Sequence, residues 1–230
     1  MEESARAAGL TERAKVRRHP ERAAYDRATI HAILDEALVA HVGFVHDGGP
    51  VVIPISYGRS GETIYLHGSN VSRTLGTLAS GAAVCLTVTL LDALVLARST
   101  FHHSMNYRSA VIFGTGRLVT DPQEKRRALE CIVEHIAPGR TRDARGPNAS
   151  ELAATSVIAL AIEEASAKTR DEPPVDAAAD LSSATWAGVL PIAQRYGPPV
   201  ADQYVPAGVE VPREIAHYAR PATPRRRRPG

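Results

Sequence analysis

Polar and apolar positions change period several times along this 230-residue chain. Residues 1–25 are polar and show no clear period. Asp26 stands where a helix N-cap would, its carboxylate placed to accept from free backbone N–H groups. Ile30, Ile33, Leu34, Ala37 and Leu38 follow at helical spacing, which predicts a short amphipathic helix over 27–38. From Val39 the period falls to two. Three strands are predicted, at about 39–46, 51–57 and 63–67. Asp47-Gly48-Gly49 and Gly58 to Gly61 form the turns between them, where glycine accepts positive φ. Ser72 to Ala79 reads as a short helix with Ser72 as its cap and Leu75 and Leu78 facing inward.

Residues 82–99 are rich in Val, Leu and Thr and predict one long strand, or two around Asp92. A further strand is predicted over 107–121, where Gly114 and Gly116 mark a bend or bulge of the kind closed barrels need. Asp121-Pro122-Gln123-Glu124 offers a cap, a proline at the first helical position and a glutamate at the third, so a helix is placed at 122–137. Residues 139–150 read as a polar loop. Helix and strand compete over 155–167, and β-branched Thr155, Val157, Ile158 and Ile162 favour the strand. After Lys168 no period is clear. Adjacent short strands with a few inserted helices predict a mainly β fold with flanking helices, closed as an antiparallel barrel. The boundaries that follow are an N-terminal extension over 1–25, one domain over 26–200 and a C-terminal arm over 201–230.

Composition narrows the class. Hydrophobic residues make up 44% and charged residues 23%, enough for a sizeable core in a soluble protein. No stretch matches a membrane span or a signal-peptide core, so a cytoplasmic protein is expected. The formal net charge is +2, yet Arg220 and Arg225 to Arg228 alone supply five positive charges, so the rest of the chain is not basic. The proline-flanked arginine run suits nucleic acid or anionic lipid in principle, but reads as a disordered, solvated tail. Nucleic acid is therefore not an expected partner. Cys85 and Cys131 are too far apart for a zinc motif or a CxxC pair and read as buried free thiols, and no metal site is expected.

Three segments could carry chemistry. In Tyr65 to Arg73 a strand ends at His67 and a Gly/Ser/Asn loop leads to Ser72-Arg73 at a helix start. Unpaired N–H groups and a guanidinium there suit a phosphate, although a capped helix beside an exposed arginine fits equally. Ser99 to Ser109 sets His102, His103, Asn106, Tyr107, Arg108 and Ser109 between two apolar strands, either as a solvated hairpin loop or as a ligand site. In the arm, Trp186 is either core or a cover for an aromatic cofactor, and Lys168 and Arg170 either surface charges or anion contacts.

Taken in order, VGFVHDGGPVVIPISY, IYLHGSNVSRTLGTL, NYRSAVIFGTGRLVTD and WAGVLPI resemble the pyridoxamine 5′-phosphate oxidase-like flavin-binding proteins. The nearest branch is that of the nitroimidazole-resistance proteins, and the resemblance spans about residues 17–200. It implies a six-stranded split barrel and a homodimer with FMN at the subunit interface. Carried over, it sets Pro54, Ile55, Ser56 and Tyr57 along the flavin from one strand and Leu66, His67 and Gly68 from the next. It gives the phosphate to Ser72 and Arg73, brings Tyr107, Arg108 and Ser109 up from a third strand and sets Trp186 near the ring system. His67 matches the active-site histidine of that branch, a candidate proton donor. The basic segment and the closing Arg-x-His pattern of the true B6 oxidases are missing, which argues against vitamin B6 oxidation. The expected activity is FMN-dependent oxidation or reduction of a small organic substrate, fed by a reduced nicotinamide or another electron donor. The alternatives are a flavin-storing or flavin-sensing protein without turnover, and an enzyme of the same fold that uses a deazaflavin or haem, for which His102 and His103 are the candidates.

Overall fold

The structure, a computed structural model, describes residues 11–221. Its strands and α-helices run β1 (Ala23–Ala24), α1 (Arg27–Glu36), β2 (Val39–His46), β3 (Gly49–Ser60), β4 (Thr63–Ser69), α2 (Arg73–Ala79) and β5 (Ala83–Leu96). They continue with β6 (Ser104–Leu118), α3 (Pro122–Ile136), α4 (Arg140–Asp143), α5 (Ala149–Ala154), β7 (Thr155–Ala161), β8 (Glu164–Arg170), β9 (Gly188–Pro191) and α6 (Arg213–Ala216). Caps fall where side-chain chemistry sets them. Asp26 accepts from Thr29 N at 2.8 Å, Ser72 from Leu75 N at 3.4 Å and Asp121 from Glu124 N at 2.7 Å.

All strand pairings are antiparallel, and six strands close a ring in the order β6-β7-β4-β3-β2-β5-β6. The fold is a split antiparallel β-barrel with flanking helices. Strand β6 organises it. One edge pairs with β5 along its length, and the other pairs with β8 over Tyr107–Phe113 and then with β7 over Gly116–Leu118. The change of partner falls at the glycines. A Cβ on Gly116 would sit 2.8 Å from the Leu78 carbonyl of α2, so only glycine lets that helix lie so close. Strand β5 is one strand with a register shift between Leu91 and Ala93, so Asp92 makes a bulge and not a break.

Alternation fills the ring. Val42, Ile64, Leu66, Leu86, Ile112, Ile158 and Leu160 face one apolar core, closed at one end by Ile30, Ile33 and Leu34 of α1. Each such side chain contributes roughly 1.5–3 kcal/mol through burial. Helix α3 lies on the outside, where a Cβ on Gly58 would come within 2.7 Å of the Ile132 backbone nitrogen.

Three segments differ from the sequence reading. The loop expected over 139–150 holds the short helix α4 and leads into α5, which opens with a reciprocal capping box between Asn148 and Glu151. The stretch 155–167 falls within two strands, turning between Ala161 and Glu164. The aperiodic stretch after Lys168 contains β9, whose four residues take their order from pairing with Ala93–Leu96 of β5. Residues 11–25 pack on the barrel: Arg13 meets Glu164 at 2.7 Å and Lys168 Nζ donates to the Arg18 carbonyl at 2.8 Å. Arg220, counted above with the tail, docks as well, donating to the carbonyls of Asp35, Glu36 and His135 at the ends of α1 and α3. The run Arg225 to Arg228 lies outside the described residues.

Candidate functional site

Strands β3 and β4 pair only from Tyr57↔Leu66 to Ser60↔Thr63. Beyond Tyr57 the earlier half of β3 stays with β2, while His67–Ser69 of β4 stays with β7. The two strands part there, and the parting holds most of the residues singled out by sequence. Pleating divides them between its two faces. Tyr57 is 0% exposed, and its hydroxyl donates to the carbonyls of Leu34 at 2.5 Å and Ala37 at 3.2 Å. Leu66 is buried in the same core, and Ile55 packs against it. Gly68 faces Leu75, whose side chain a Cβ would meet at 3.3 Å. The side chains of Tyr57 and Leu66 turn into the barrel and Ile55 packs against the same core, which leaves their backbone as what they would offer a flavin, and Gly68 serves the approach of α2. Pro54 and Ser56, on the alternate positions of β3, face outward with His67.

The phosphate candidate lies at the far end of β4. Ser72 caps α2, and Arg73 is exposed with no carboxylate partner among the described residues. That leaves both alternatives of the sequence reading in place. Tyr107, Arg108 and Ser109 lie on β6, in the stretch paired with β8. Gly116 of β6 touches α2, and Arg108 lies eight residues away, up to roughly 26 Å along an extended strand. Arg108 is also committed: it pairs with Glu36 and, at 2.7 Å, with Asp92, and those carboxylates hold its guanidinium in the charged form. The Ser109 hydroxyl donates to the Lys168 carbonyl at 3.2 Å, and Tyr107 is half-buried. Arg170 is buried, with Nη1 on Asn106 Oδ1 at 2.5 Å, and so is neither a surface charge nor an open anion contact. Trp186 is neither core nor a cover within this chain; it is 67% exposed on the arm, its ring lying against Gly188.

His67 occupies a site of its own. A cavity of about 460 Å³ opens between the outer face of β4 and β7, the second half of α3 and the crossing 141–155. Leu129, Ile132, Val133 and Ile136 form one wall, and His67 and Thr155 rise from the strands opposite. Arg145, bidentate to Glu151 at 2.6 and 2.8 Å, and Glu130 complete it on the polar side. His67 Nδ1 is buried with no hydrogen-bond partner, and burial lowers the pKa of the ring, which keeps it neutral near pH 7. A neutral imidazole in an apolar slot has a lone pair to give a metal or a proton. Pro54, Ser56, Ser72 and Arg73 do not line this cavity. The cavity was not readable from the sequence, although the apolar face of α3, Leu129 to Ile136, was a visible trace of it.

His102 shares this feature of His67, its Nδ1 also being buried without a hydrogen-bond partner. His102 and His103 lie at an irregular turn, where His103 Nδ1 contacts the Ser99 carbonyl at 3.0 Å. His135 donates from Nε2 to the Ala37 carbonyl at 2.8 Å and packs on Tyr57. No group of three or more His, Cys, Asp or Glu side chains among the described residues is arranged to hold a metal ion, and no helix among them is long and apolar enough to cross a membrane.

Two solved structures match along nearly their whole length. A flavocytochrome from Azotobacter vinelandii is 38% identical, with a TM-score of 0.84 over 89% of this chain and 95% of its own. An FAD- and haem-binding protein from Mycobacterium smegmatis is 39% identical, with a TM-score of 0.81 over 84% of this chain and 95% of its own. A protein described as a 5-nitroimidazole antibiotic resistance protein from Bacteroides thetaiotaomicron is 26% identical, with a TM-score of 0.54 over 64% and 85% of the two chains. No curated protein matches. The family description pyridoxamine 5'-phosphate oxidase matches residues 26–169. With that match spanning most of the split barrel, the chain belongs to the pyridoxamine 5'-phosphate oxidase family.

Proposed function

We propose that this protein is a flavin-dependent oxidoreductase acting on a small organic substrate as a homodimer. The observation that carries the reading is its similarity, at 38–39% identity and over 95% of their lengths, to two structures described as a flavocytochrome and as an FAD- and haem-binding protein. FAD is accordingly preferred over the FMN expected from the motifs.

The residues fit a flavin at the parting of β3 and β4. Pro54 and Ser56 offer an outward edge there, and the turn before α2 offers Ser72, backbone N–H groups and an uncommitted Arg73 for the phosphate. When bound, the flavin supplies the hydride and electron chemistry, and the protein supplies orientation and a shielded pocket. A second subunit would add to this site: Tyr107 and Ser109 on β6 and the exposed Trp186 are the residues a partner copy would present. Electrons come from a reduced nicotinamide or another small donor.

The test is direct. Flavin released by denaturing the purified protein is identified by chromatography, and reduced nicotinamides are offered with quinone and nitro acceptors under light-scattering control of mass. Bound FAD, turnover and a dimer are expected. A colourless protein that takes up no flavin overturns the reading. Flavin without turnover replaces it with storage or sensing.

A second reading adds haem to the flavin, and the two similar structures favour it. His67 and His102 each carry a buried Nδ1 without a hydrogen-bond partner and are the candidate residues for such a group.

A further inference from the structure

We propose that residues 213–220 form a strap across the C-terminal ends of α1 and α3, and that a proton taken up by His135 releases it.

Three sets of contacts hold the strap. Arg220 donates to the carbonyls of Asp35, Glu36 and His135, so one guanidinium caps the ends of both helices. A helix end leaves such carbonyls without intrahelical partners, and its dipole favours a cation there. Tyr218 donates its hydroxyl to the Ile136 carbonyl at 2.5 Å and sets its ring edge-on to Tyr196, with centroids 4.6 Å apart. Arg142 of α4 pairs with Glu214 of α6 at 2.8 Å, but both side chains are exposed and the pair adds little. Arg220 is thus the principal attachment. No residue of the strap is buried, which places it at the low-stability end of the fold.

His135 lies beneath that attachment. Its Nε2–H donates to the Ala37 carbonyl at 2.8 Å, and Arg220 Nη2 stands 3.4 Å from the same nitrogen. Three charged groups face the ring: Arg220 from the strap, Arg59 from β3 and Asp35 from α1, the last two paired at 2.5 Å. Tyr57 of β3 packs against it, and burial keeps that hydroxyl protonated. Two guanidiniums against one carboxylate already leave the surroundings positive, and a proton on the ring adds to the excess where Arg220 is held. Burial is the first reason that the ring resists this proton. The charges of Arg220 and Arg59 add to the resistance, against the Ala37 bond and Asp35.

Strap docking and protonation therefore oppose each other, and the opposition is reciprocal. In the released state His135 loses a cover and a neighbouring cation, so its pKa moves back toward about 6.5. Docking has its full strength above that pH. Below it, each pH unit weakens docking by at most about tenfold, until the docked ring titrates as well. Ile136 and Thr141 line the cavity beneath α3, so release also frees the rim of that cavity.

The experiment follows Tyr218 by fluorine NMR in full-length protein carrying fluorotyrosine, with Tyr218→Phe to assign the resonance. The pH runs from about 8 to 5, the range over which an imidazole titrates. In wild type the resonance should move from a docked to a released position as the pH falls below about 6.5. His135→Gln keeps a donor for the Ala37 carbonyl and cannot take up the proton, so its Tyr218 should stay docked throughout. Arg220→Gln should show the released position already at the upper end of the range. Histidine NMR provides a second reading that does not depend on the folding of His135→Gln: the His135 pKa should be higher in Arg220→Gln than in wild type. A wild-type resonance that stays docked over the whole range overturns the proposal. So does an equal shift in His135→Gln, or an unchanged His135 pKa in Arg220→Gln.

Discussion

The strand ring and the C-terminal arm use apolar residues in opposite ways. In the ring, Leu86, Ile112 and Ile158 are 0% exposed, and the alternation along each strand ends in a closed core. In the arm, meaning everything after β8, Trp186 is 67% exposed and Val200 93%, and among the described residues the only regular pairing is the four residues of β9 on β5. Both segments belong to one chain and carry the same kinds of side chain. The ring buries its apolar side chains within the subunit, whereas Trp186 and Val200 leave theirs exposed, as surfaces that take a partner do. The cavity under α3 lies between these extremes, built from within the chain yet leaving an imidazole unpartnered.

Removing volume from the ring sharpens the contrast most. Leu86→Ala should destabilise the protein by about 2–5 kcal/mol in urea unfolding, the range for a buried leucine whose cavity does not collapse. Val200→Ala should change stability by less than about 0.5 kcal/mol. Comparable losses at the two positions would mean that the arm is packed on the subunit after all.

Arg108→Ala comes next. The guanidinium joins Glu36 at the end of α1 to Asp92 at the β5 bulge, with all three side chains mostly buried. Its loss leaves two carboxylates facing each other, and a fall of about 2–3 kcal/mol is expected, below the 3–5 of a fully buried pair because water reaches this one. Flavin content should hold at wild-type level, since the residue is structural. Loss of flavin with unchanged stability would return Arg108 to the cofactor site that its motif first suggested.

Tyr57 and Arg108 show what the sequence carries and where it stops. Caps, turn glycines and strand periods are local, so α1, α2, α3 and the strand pattern were legible, as was the split-barrel class. The direction in which a strand faces is not local. PISY reads equally well with Tyr57 inward or outward, and the choice is made by α1, whose carbonyls at Leu34 and Ala37 take the hydroxyl. Arg108 meets Glu36 across 72 positions of sequence, beyond any motif. His67 stood out by type and place, but the wall it faces comes from α3 more than sixty residues later. Strand β9 escaped notice because four residues carry too little period, and its order comes from its partner.

A smaller effect separates the histidines that the fold buries from those it leaves in water. Burial lowers the pKa of both His67 and His135, the latter despite its bond to the Ala37 carbonyl. A folded pKa below the unfolded value of about 6.5 leaves stability untouched above that pH. As pH falls below it, the unfolded chain takes up protons that the folded chain refuses, and stability declines until the folded pKa is passed. Each histidine contributes at most about 1.4 kcal/mol per pH unit in that window. Glu151 and Glu164, each held by an arginine to a pKa of about 2, stay charged throughout it in the folded protein. The melting temperature should therefore fall between pH 6.5 and 5, and His135→Gln should flatten the fall. A slope unchanged in that variant, and in His67→Gln, would place the acid sensitivity elsewhere.

The smallest effect on the subunit falls at Trp186, where the effect on assembly should be largest. Its indole lies over Gly188 at the start of β9 and turns most of its surface outward. An aromatic ring held this way is a poor core residue and a good anchor, because two torsions are enough to fix a large contact area. If the arm is completed by a second copy of the chain, Trp186→Ala should leave the urea stability of dilute protein within about 0.5 kcal/mol of wild type. The same change should raise the dimer dissociation constant about tenfold or more, the scale of 1.4 kcal/mol, when measured by sedimentation over a dilution series. Gly188→Ala is an independent probe, since its new Cβ would fall 2.8 Å from the indole Cζ2 and push the ring aside without removing it. It should weaken the dimer in the same direction. If both variants remain dimers at nanomolar concentration, or both lose subunit stability instead, the arm is not an intersubunit element, and the contrast between ring and arm loses its meaning.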